Sequence, residues 1–276
     1  MICFPSCKIN LGLRITQKRA DGFHALETVF FPISIKDALE IIIEPDTTAA
    51  PITFTSSGLA INGEPSDNLC FKAYGLLKKD YPTIPNIKMH LHKKIPMGAG
   101  LGGGSSDGAF TLVTLNQLFN LQLSEQALLN YALQLGSDCP FFIINTPAFA
   151  TGRGEILTPT TVDLSGYSIV IVNPGIAIST KLAFSLITPK VPDNNVAAVI
   201  QQPISTWKDV LINDFEQPIF NSFPELANIK ETLYQKGAAY ASMTGTGSTV
   251  YGIFPTSMMV TLSFDFPSHY FIATAS

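Results

Sequence analysis

Two stretches of contrasting periodicity flank the most unusual part of this chain. Residues 87–95 alternate apolar and polar side chains, which predicts a strand with one buried face. Farther along, apolar residues at helical spacing predict a helix that starts near Ser105, and they are Leu112, Leu115, Leu118 and Phe119. In the run between them, residues 96–107, five of twelve positions are glycine, so this run predicts a loop.

The rest of the pattern mixes short strands with helices. Strands are predicted in residues 2–15, 28–35, 39–43, 52–55, 141–158, 167–173 and 240–254, the last with a glycine turn in its middle. Helices are predicted over 66–79, 125–135, 211–219 and 225–235. This mixture predicts an α/β (α+β) fold, and a chain of 276 residues is long enough for two domains. We place their boundary near residue 155.

The order strand, glycine loop, helix predicts a phosphate-binding site, because aligned N–H groups and the helix dipole attract an anion. Gly98, Gly100 and Gly103 also match the dinucleotide fingerprint, but a second helix follows where that fingerprint needs a strand. The loop ends in Ser105 and Ser106 without the lysine of a P-loop. A flexible linker is the alternative, and it rarely stands between a strand and a helix.

Composition narrows the class of protein. Hydrophobic residues make up 46% of the chain and charged residues 14%, which predicts a sizeable core. The net charge of −4 gives no electrostatic footprint for nucleic acid or an anionic membrane. No apolar run has the length of a membrane span, and the start of the chain does not resemble a signal peptide. The four cysteines lack metal-site spacing, so we expect free thiols and a cytoplasmic location; the oligomeric state stays open.

Three polar residues stand in apolar surroundings. Lys8 and Asn10 share one face of the first strand, where they could point into a cleft or simply into solvent. Asp138 follows the helix stop at Gly136 and precedes an apolar stretch that we expect to be a strand. A carboxylate in that position needs a partner, or it caps the local backbone.

Aromatic and imidazole side chains give a weaker signal. Phe23 and His24 follow an Asp-Gly turn, and they could pack in the core or stack on a heterocycle. His90 and His92 lie two apart on a predicted strand and so share a face. Two histidines alone do not make a metal site, so a solvated face is the expectation there.

Three motifs in this chain resemble those of the small-molecule kinase family named for galactose, homoserine, mevalonate and phosphomevalonate kinases. They occur in the family's order at residues 8–11, 96–106 and 243–249. Residues 19–24, 136–142 and 173–180 are similar to one branch of the family, which acts on a cytidine diphosphate-linked methylerythritol. The resemblance runs from residue 2 to about residue 254. Its departures remove no charged group, and they are Cys7, Phe23, Gly108 and Thr246.

The resemblance implies a two-domain fold with the active site in the cleft between the domains. Residues 1–155 would form the ATP-binding and catalytic domain, and 156–276 the substrate-binding domain. The implied reaction is an ATP-dependent transfer of a phosphoryl group to the 2-hydroxyl of the methylerythritol moiety, with ATP and Mg²⁺ as cofactors. The partner is a small-molecule substrate, not nucleic acid or membrane. Lys8 and Asp138 are the implied catalytic pair, with Asp138 as base.

The same resemblance implies the binding residues. The ATP-binding set comprises the glycine loop and two flanking residues: Pro96, Met97, Gly98, Ala99, Gly100, Leu101, Gly102, Gly103, Gly104, Ser105, Ser106, Asn68 and Lys93. The substrate-binding set comprises Asn10, Phe23, His24, Thr180 and Phe184. The rings of Phe23 and Phe184 are expected to come from opposite domains and to sandwich cytosine. Valine at Gly103 is expected to block the approach of backbone N–H groups to the phosphates and to resist a positive φ, so it would abolish ATP binding while the protein still folds.

Two alternatives remain. The first is a sibling kinase that acts on homoserine, mevalonate or a sugar, against which residues 23–24 and 136–138 argue. The second is a nucleotide-binding protein that has lost catalysis, which the presence of Lys8 and Asp138 opposes.

Overall fold

The computed structural model describes residues 1–46, 48, 50–61, 63–192, 194–259 and 263–275. Its strands are β1 Ile2–Cys3, β2 Ser6–Lys18, β3 His24–Lys36, β4 Ala38–Ile43, β5 Ile52–Gly58, β6 Ile87–Lys93, β7 Ala148–Thr151, β8 Ile156–Pro159, β9 Tyr167–Asn173, β10 Tyr240–Met243, β11 Val250–Pro255 and β12 Phe271–Ala275. Its α-helices are α1 Leu69–Asp80, α2 Gly103–Leu118, α3 Glu125–Leu135, α4 Cys139–Ile144, α5 Thr180–Ser185, α6 Val196–Val199, α7 Glu216–Ser222 and α8 Pro224–Gln235. The α/β (α+β) class is therefore confirmed.

The chain divides into two compact units, and neither is a continuous segment. The first unit contains Met1–Cys7, Ile35–Met97 and Gly102–Asn145. The second contains Lys8–Ser34, Gly98–Leu101 and Thr146–Ser276. The glycine loop thus contributes residues to both units. The boundary predicted near residue 155 stays a prediction, and the last change of unit falls between Asn145 and Thr146.

The first unit packs helices on one four-stranded sheet of order β1-β4-β6-β5, in which β5 and β6 run parallel. Alternate residues of β6 are buried, as its sequence pattern predicts. Helices α1, α2 and α3 supply the other half of the core, whose buried members include Leu39, Ile41, Tyr74, Leu77, Met89, Leu91, Leu112, Leu115 and Ala132. On the outer face, His92 is exposed and hydrogen-bonded to Ser57.

The second unit holds a four-stranded antiparallel sheet of order β10-β11-β9-β12, and most of a second sheet of order β2-β3-β7-β8. Strand β9 is buried after its first residue, which matches its apolar sequence. Helices α7 and α8 contribute to the core of this unit, which includes Val170, Val172, Phe215, Ile219, Leu226, Ile229, Leu233, Met243, Val250 and Phe254.

One predicted strand is a helix. The apolar stretch after Asp138 forms α4, with Pro140 in its first turn and Phe141 and Phe142 buried. A short apolar run does not distinguish a strand from a buried helix, and proline is tolerated where a helix begins. None of the helices in the described part of the chain combines the length and the apolar composition needed to cross a bilayer.

Candidate active site

The glycine loop joins β6 to α2 through a series of left-handed turns. Gly98, Gly100 and Gly102 have φ values of +64°, +78° and +70°, a region that other residues rarely enter. Helix α2 begins at Gly103, two residues before the predicted start. Its N-cap, Gly102, makes no side-chain capping bond. Gly102 therefore caps none of the N–H groups in the first turn of α2. An anion-binding site at a helix N-terminus requires such uncapped N–H groups.

Gly100 and Gly103 pack closely against other groups. A Cβ atom on Gly100 would lie 2.1 Å from the carbonyl oxygen of Thr244 in the second unit. A Cβ atom on Gly103 would lie 2.8 Å from Cγ2 of Ile95 and 3.1 Å from Nζ of Lys93 in the first unit. Gly103 is helical, so the positive φ expected there is wrong, and close packing is what restricts this position.

A buried ion cluster lies beneath Gly103. The Nζ atom of Lys93 donates to Oδ2 of Asp37 at 2.5 Å and to Oδ2 of Asp107 at 2.7 Å, and Lys93 is 1% exposed. Oδ1 of Asp37 also accepts the N–H groups of Lys94 and Ile95. The cluster therefore joins the chain just before the loop to helix α2, which carries Asp107. Sequence reasoning missed both aspartates and placed Lys93 near ATP; that role stays a prediction.

The charges of this cluster influence one another. Burial raises the pKa of Asp107 to about 7; the Lys93 ammonium opposes that shift and the Asp37 carboxylate adds to it. Burial acts to lower the pKa of Lys93, but Asp107 and Asp37 outweigh it, so the pKa of Lys93 is raised. The ammonium is therefore charged at neutral pH, with its hydrogen bonds directed to the two carboxylates.

Two serines occupy the first turn of α2. Ser106 is fully buried, and its Oγ has no hydrogen-bond partner within the described residues. Burial raises the pKa of the Cys139 thiol to about 12, and the Ser105 hydroxyl acts to lower it. A buried hydroxyl without a hydrogen-bond partner among the described residues calls for an explanation, and a role in binding a ligand is one.

Lys8 lies in a buried hydrogen-bond network of the second unit. Its Nζ donates to Oδ1 of Asn10 at 2.6 Å and to the carbonyl oxygen of Gly100 at 3.0 Å, and Lys8 is 3% exposed. Nδ2 of Asn10 donates to Thr28, and the Thr244 hydroxyl contacts both Asn10 and Gly100. The side chains of Lys8 and Asn10, predicted to share one strand face, thus contact each other. Sequence reasoning did not single out Thr28, and Thr244 appeared only as part of the third motif.

Asp138 stands at the N-cap position of α4, between the end of α3 and Cys139. Its backbone is helical and its side chain makes no capping hydrogen bond to α4. The capping role that the sequence allowed is therefore wrong for this helix. Asp138 belongs to the first unit and Lys8 to the second.

The predicted base-binding residues lie in the second unit. The rings of His24 and Phe184 stack with their centroids 4.9 Å apart and an interplanar angle of 23°. Phe23 is 54% exposed, and the guanidinium of Arg153 lies 4.9 Å from its ring centroid. Phe23 and Phe184 both belong to the second compact unit. The expectation that the two rings come from opposite domains is therefore wrong.

Two further candidate binding residues, Asn68 and Thr180, lie where helices begin. Asn68 caps α1 by accepting the N–H of Cys70, which gives it a structural role whatever its relation to ATP. Thr180 is the first residue of α5 and is exposed, and Ser179 caps that helix.

Two domain profiles match this chain. The profile described as GHMP kinases N terminal domain matches residues 68–152, and that described as GHMP kinases C terminal matches residues 200–258. Solved structures with this fold include the mevalonate kinase of Methanococcus jannaschii, with a TM-score of 0.71 at 14% identity over 100% of this chain and 97% of that one. At that identity the likeness establishes the fold alone.

More similar proteins specify the branch of the family. A Bacteroides fragilis protein named 4-diphosphocytidyl-2-C-methyl-D-erythritol kinase is 49% identical over 95% of this chain and 94% of its own length. The Bacteroides thetaiotaomicron protein of that name is 51% identical over 92% of each. A crystal structure of 4-(cytidine 5'-diphospho)-2C-methyl-D-erythritol kinase has a TM-score of 0.80 at 29% identity, over 100% of this chain and 99% of that one. This chain belongs to the 4-diphosphocytidyl-2-C-methyl-D-erythritol kinase family of the GHMP kinases.

Proposed function

We propose that this protein catalyses the ATP-dependent phosphorylation of the 2-hydroxyl of 4-diphosphocytidyl-2-C-methyl-D-erythritol, a step of non-mevalonate isoprenoid precursor biosynthesis. The observation that carries the proposal is the 49% identity over 95% of the chain with a relative of that name. A cytoplasmic location is part of the proposal. All four cysteines lie among the described residues and none forms a disulfide, which supports a reducing compartment.

The reaction needs a base and charge stabilisation. In the proposed step, the 2-hydroxyl oxygen forms a bond to the γ-phosphorus of ATP, and the bond from that phosphorus to the bridging oxygen breaks, releasing ADP. The carboxylate of Asp138 accepts the hydroxyl proton. The ammonium of Lys8, which Asn10 and Gly100 hold by hydrogen bonds, is proposed to favour the ionised carboxylate and the negative charge that develops on oxygen.

The glycine loop is proposed to hold the phosphates. The left-handed turns at Gly98, Gly100 and Gly102 and the uncapped start of α2 support this role. The buried hydroxyl of Ser106 would supply an oxygen ligand to a Mg²⁺ ion bound with ATP, and Ser105 is a second candidate. When bound, Mg²⁺ neutralises part of the phosphate charge. Pro96, Met97, Asn68 and Lys93 remain proposed neighbours of the nucleotide.

The cytidine end of the substrate is proposed to meet Phe23, His24, Thr180 and Phe184. The stacked rings of His24 and Phe184 support this proposal, since they offer an aromatic face to a base. Asn10 is better suited to hold Lys8 than to contact substrate directly, because its carboxamide already bonds Lys8, Thr28 and Thr244.

A parallel assay tests the proposed substrate. ADP release is measured with Mg²⁺, ATP and one of four alcohols: 4-diphosphocytidyl-2-C-methyl-D-erythritol, mevalonate, homoserine or galactose. We expect kcat/KM for the cytidylylated alcohol to exceed the others by roughly 10²-fold or more, with phosphorus NMR locating the new phosphate on the 2-hydroxyl. Faster turnover of another alcohol would indicate a sibling kinase. ATP binding without any ADP release would indicate a protein without catalysis.

The variant Asp138→Asn tests the proposed base in the same assay. Turnover should fall on the order of 10²–10⁴-fold while ATP binding by calorimetry stays nearly unchanged. Near-normal turnover in the folded variant would remove Asp138 from the mechanism.

A further inference from the structure

The network around Lys8 contains a residue that touches neither the ammonium nor the glycine loop. Thr28 lies on β3 and is completely buried. Among the described residues, its Oγ1 is hydrogen-bonded to the carbonyl oxygen of Gly12 at 2.5 Å and to Nδ2 of Asn10 at 3.0 Å. None of the three motifs of the chain includes Thr28.

Hydrogen-bond chemistry fixes the direction of each bond at Thr28. A carbonyl oxygen can only accept, so the single hydroxyl proton of Thr28 is donated to Gly12. The lone pairs of the same oxygen are then left for Asn10, whose amide NH₂ must point towards Thr28. The carboxamide is thereby oriented with Oδ1 towards Lys8, 2.6 Å from Nζ.

The opposite orientation of the carboxamide would be unfavourable at both ends. Its NH₂ group would meet the Lys8 ammonium, which has donors only, and its Oδ1 would meet a Thr28 hydroxyl whose proton is already used. Thr244 does not make this distinction. Its hydroxyl lies 3.1 Å from both Oδ1 of Asn10 and the Gly100 carbonyl, so it could donate to Gly100 and accept from a reversed amide.

We infer that Thr28 is a positioning residue for phosphoryl transfer: through Asn10 it fixes the acceptor that holds the Lys8 ammonium. The inference rests on the proposed function, in which Lys8 acts on the reacting groups. A small displacement of an ammonium in a preorganised site reduces charge stabilisation in the transition state more than it reduces binding of ATP. The role of Thr28 should therefore appear in kcat.

The test compares Thr28→Val with Thr28→Ser, using the intact protein, ATP and the cytidylylated alcohol. Valine keeps the shape of threonine but removes the acceptor, so kcat should fall roughly tenfold with KM for ATP within about twofold of the unchanged protein. Serine keeps the hydroxyl and should retain most of kcat. Thr114→Val is the matched control, because Thr114 is a buried threonine whose hydroxyl bonds Cys3 on the first unit. Thr114→Val should lower the free energy of unfolding without lowering kcat.

A double variant separates this inference from the proposed function. Because Thr28 acts through Lys8, Thr28→Val should lower kcat no further in a Lys8→Met background. An equal fold-loss in both backgrounds, or full kcat in folded Thr28→Val, would overturn the inference while leaving Lys8 in the mechanism. Normal turnover in Lys8→Met would instead overturn the role of Lys8, and the inference with it.

Discussion

Two buried lysines, one in each compact unit, are held by different hydrogen bonds. Lys8 donates to the uncharged oxygens of Asn10 and Gly100, at 2.6 and 3.0 Å. Lys93 donates to the carboxylates of Asp37 and Asp107, at 2.5 and 2.7 Å. Uncharged acceptors orient an ammonium without neutralising it, whereas two carboxylates neutralise it and hold it in place. The acceptors, rather than nearness to the glycine loop in sequence, therefore indicate what each lysine does.

This difference assigns separate tasks. Lys8 is proposed to stabilise charge on a ligand, and its hydrogen bonds to Asn10 and Gly100 orient the ammonium for that task. Lys93 is suited to connect the end of β6 with α2, because Lys93 is the last residue of β6 and its partner Asp107 lies in α2. Variants of the two lysines should therefore differ in whether they affect turnover or stability.

The largest expected effect is on stability, from Lys93→Met. Removing the cation leaves Asp37 and Asp107 buried without it, so the free energy of unfolding should fall by about 3–5 kcal/mol in urea denaturation. The double variant Lys93→Met with Asp107→Leu also removes one of the carboxylates, and it should recover a large part of the loss. A single variant as stable as the unchanged protein would show that the cluster does not hold the first unit together.

Lys8→Met should produce the reverse result. Turnover should fall roughly 10²–10³-fold, since an aligned positive charge is lost where negative charge develops. The free energy of unfolding should change by much less than in Lys93→Met, because Oδ1 of Asn10 keeps its contact with Thr244. Steady-state kinetics and urea denaturation of the same preparation give both numbers. Equal effects of the two lysines on both measurements would remove the distinction between them.

Asp107 gives the Lys93 cluster a pH dependence. Its pKa is raised to about 7 in the folded protein from an ordinary value of 3.8, chiefly by burial. The folded protein therefore binds a proton at Asp107 more tightly than the unfolded chain does. The stability that this proton contributes is fully present below about pH 4 and is lost as the pH rises to about 7. Relative to Asp107→Asn, which cannot ionise, the unchanged protein should lose roughly 1–3 kcal/mol over that range.

A matched surface variant controls for general effects of pH. Asp163 is exposed, and its hydrogen bond to Ser165 lowers its pKa. The stability difference between Asp163→Asn and the unchanged protein should not grow between pH 4 and 7. If Asp107→Asn gave the same flat difference, the Asp107 carboxyl would not titrate in this range.

Local signals predicted much of this site. The alternation of β6, the loop at the glycine run and the helix over 125–135 are each encoded within a few residues, and all three are confirmed. The position of Lys8 on a strand beside Asn10 was likewise predicted from alternation alone. These features depend on backbone geometry and side-chain period, which neighbouring residues determine.

The features that sequence reasoning missed depend on distant partners. Asp37 is 56 residues from Lys93, and Thr244 is 234 residues from Asn10. Nothing in the sequence near Lys93 distinguishes an ammonium bound to two carboxylates from one that faces a nucleotide. The same limit explains Gly103, whose restriction comes from Ile95 and Lys93 beneath it.

Gly103→Ala gives the smallest expected effect and tests the contact between the ion cluster and the loop. The added Cβ would stand 2.8 Å from Cγ2 of Ile95, a buried side chain, so the first turn of α2 or Ile95 must shift. Overpacking of this kind costs about 1–3 kcal/mol, and the better helix propensity of alanine returns up to about 1 kcal/mol. We expect the free energy of unfolding in urea denaturation to fall by about 1 kcal/mol. The KM for ATP should rise, because the displaced turn carries the N–H groups proposed to bind phosphate.

Gly104→Ala is the matched comparison for stability, since a Cβ there meets nothing within 4 Å. It should stabilise the protein by about 0.5–1 kcal/mol. If both alanines stabilised the protein equally, the space beneath Gly103 would not be filled by Ile95 and Lys93 in solution.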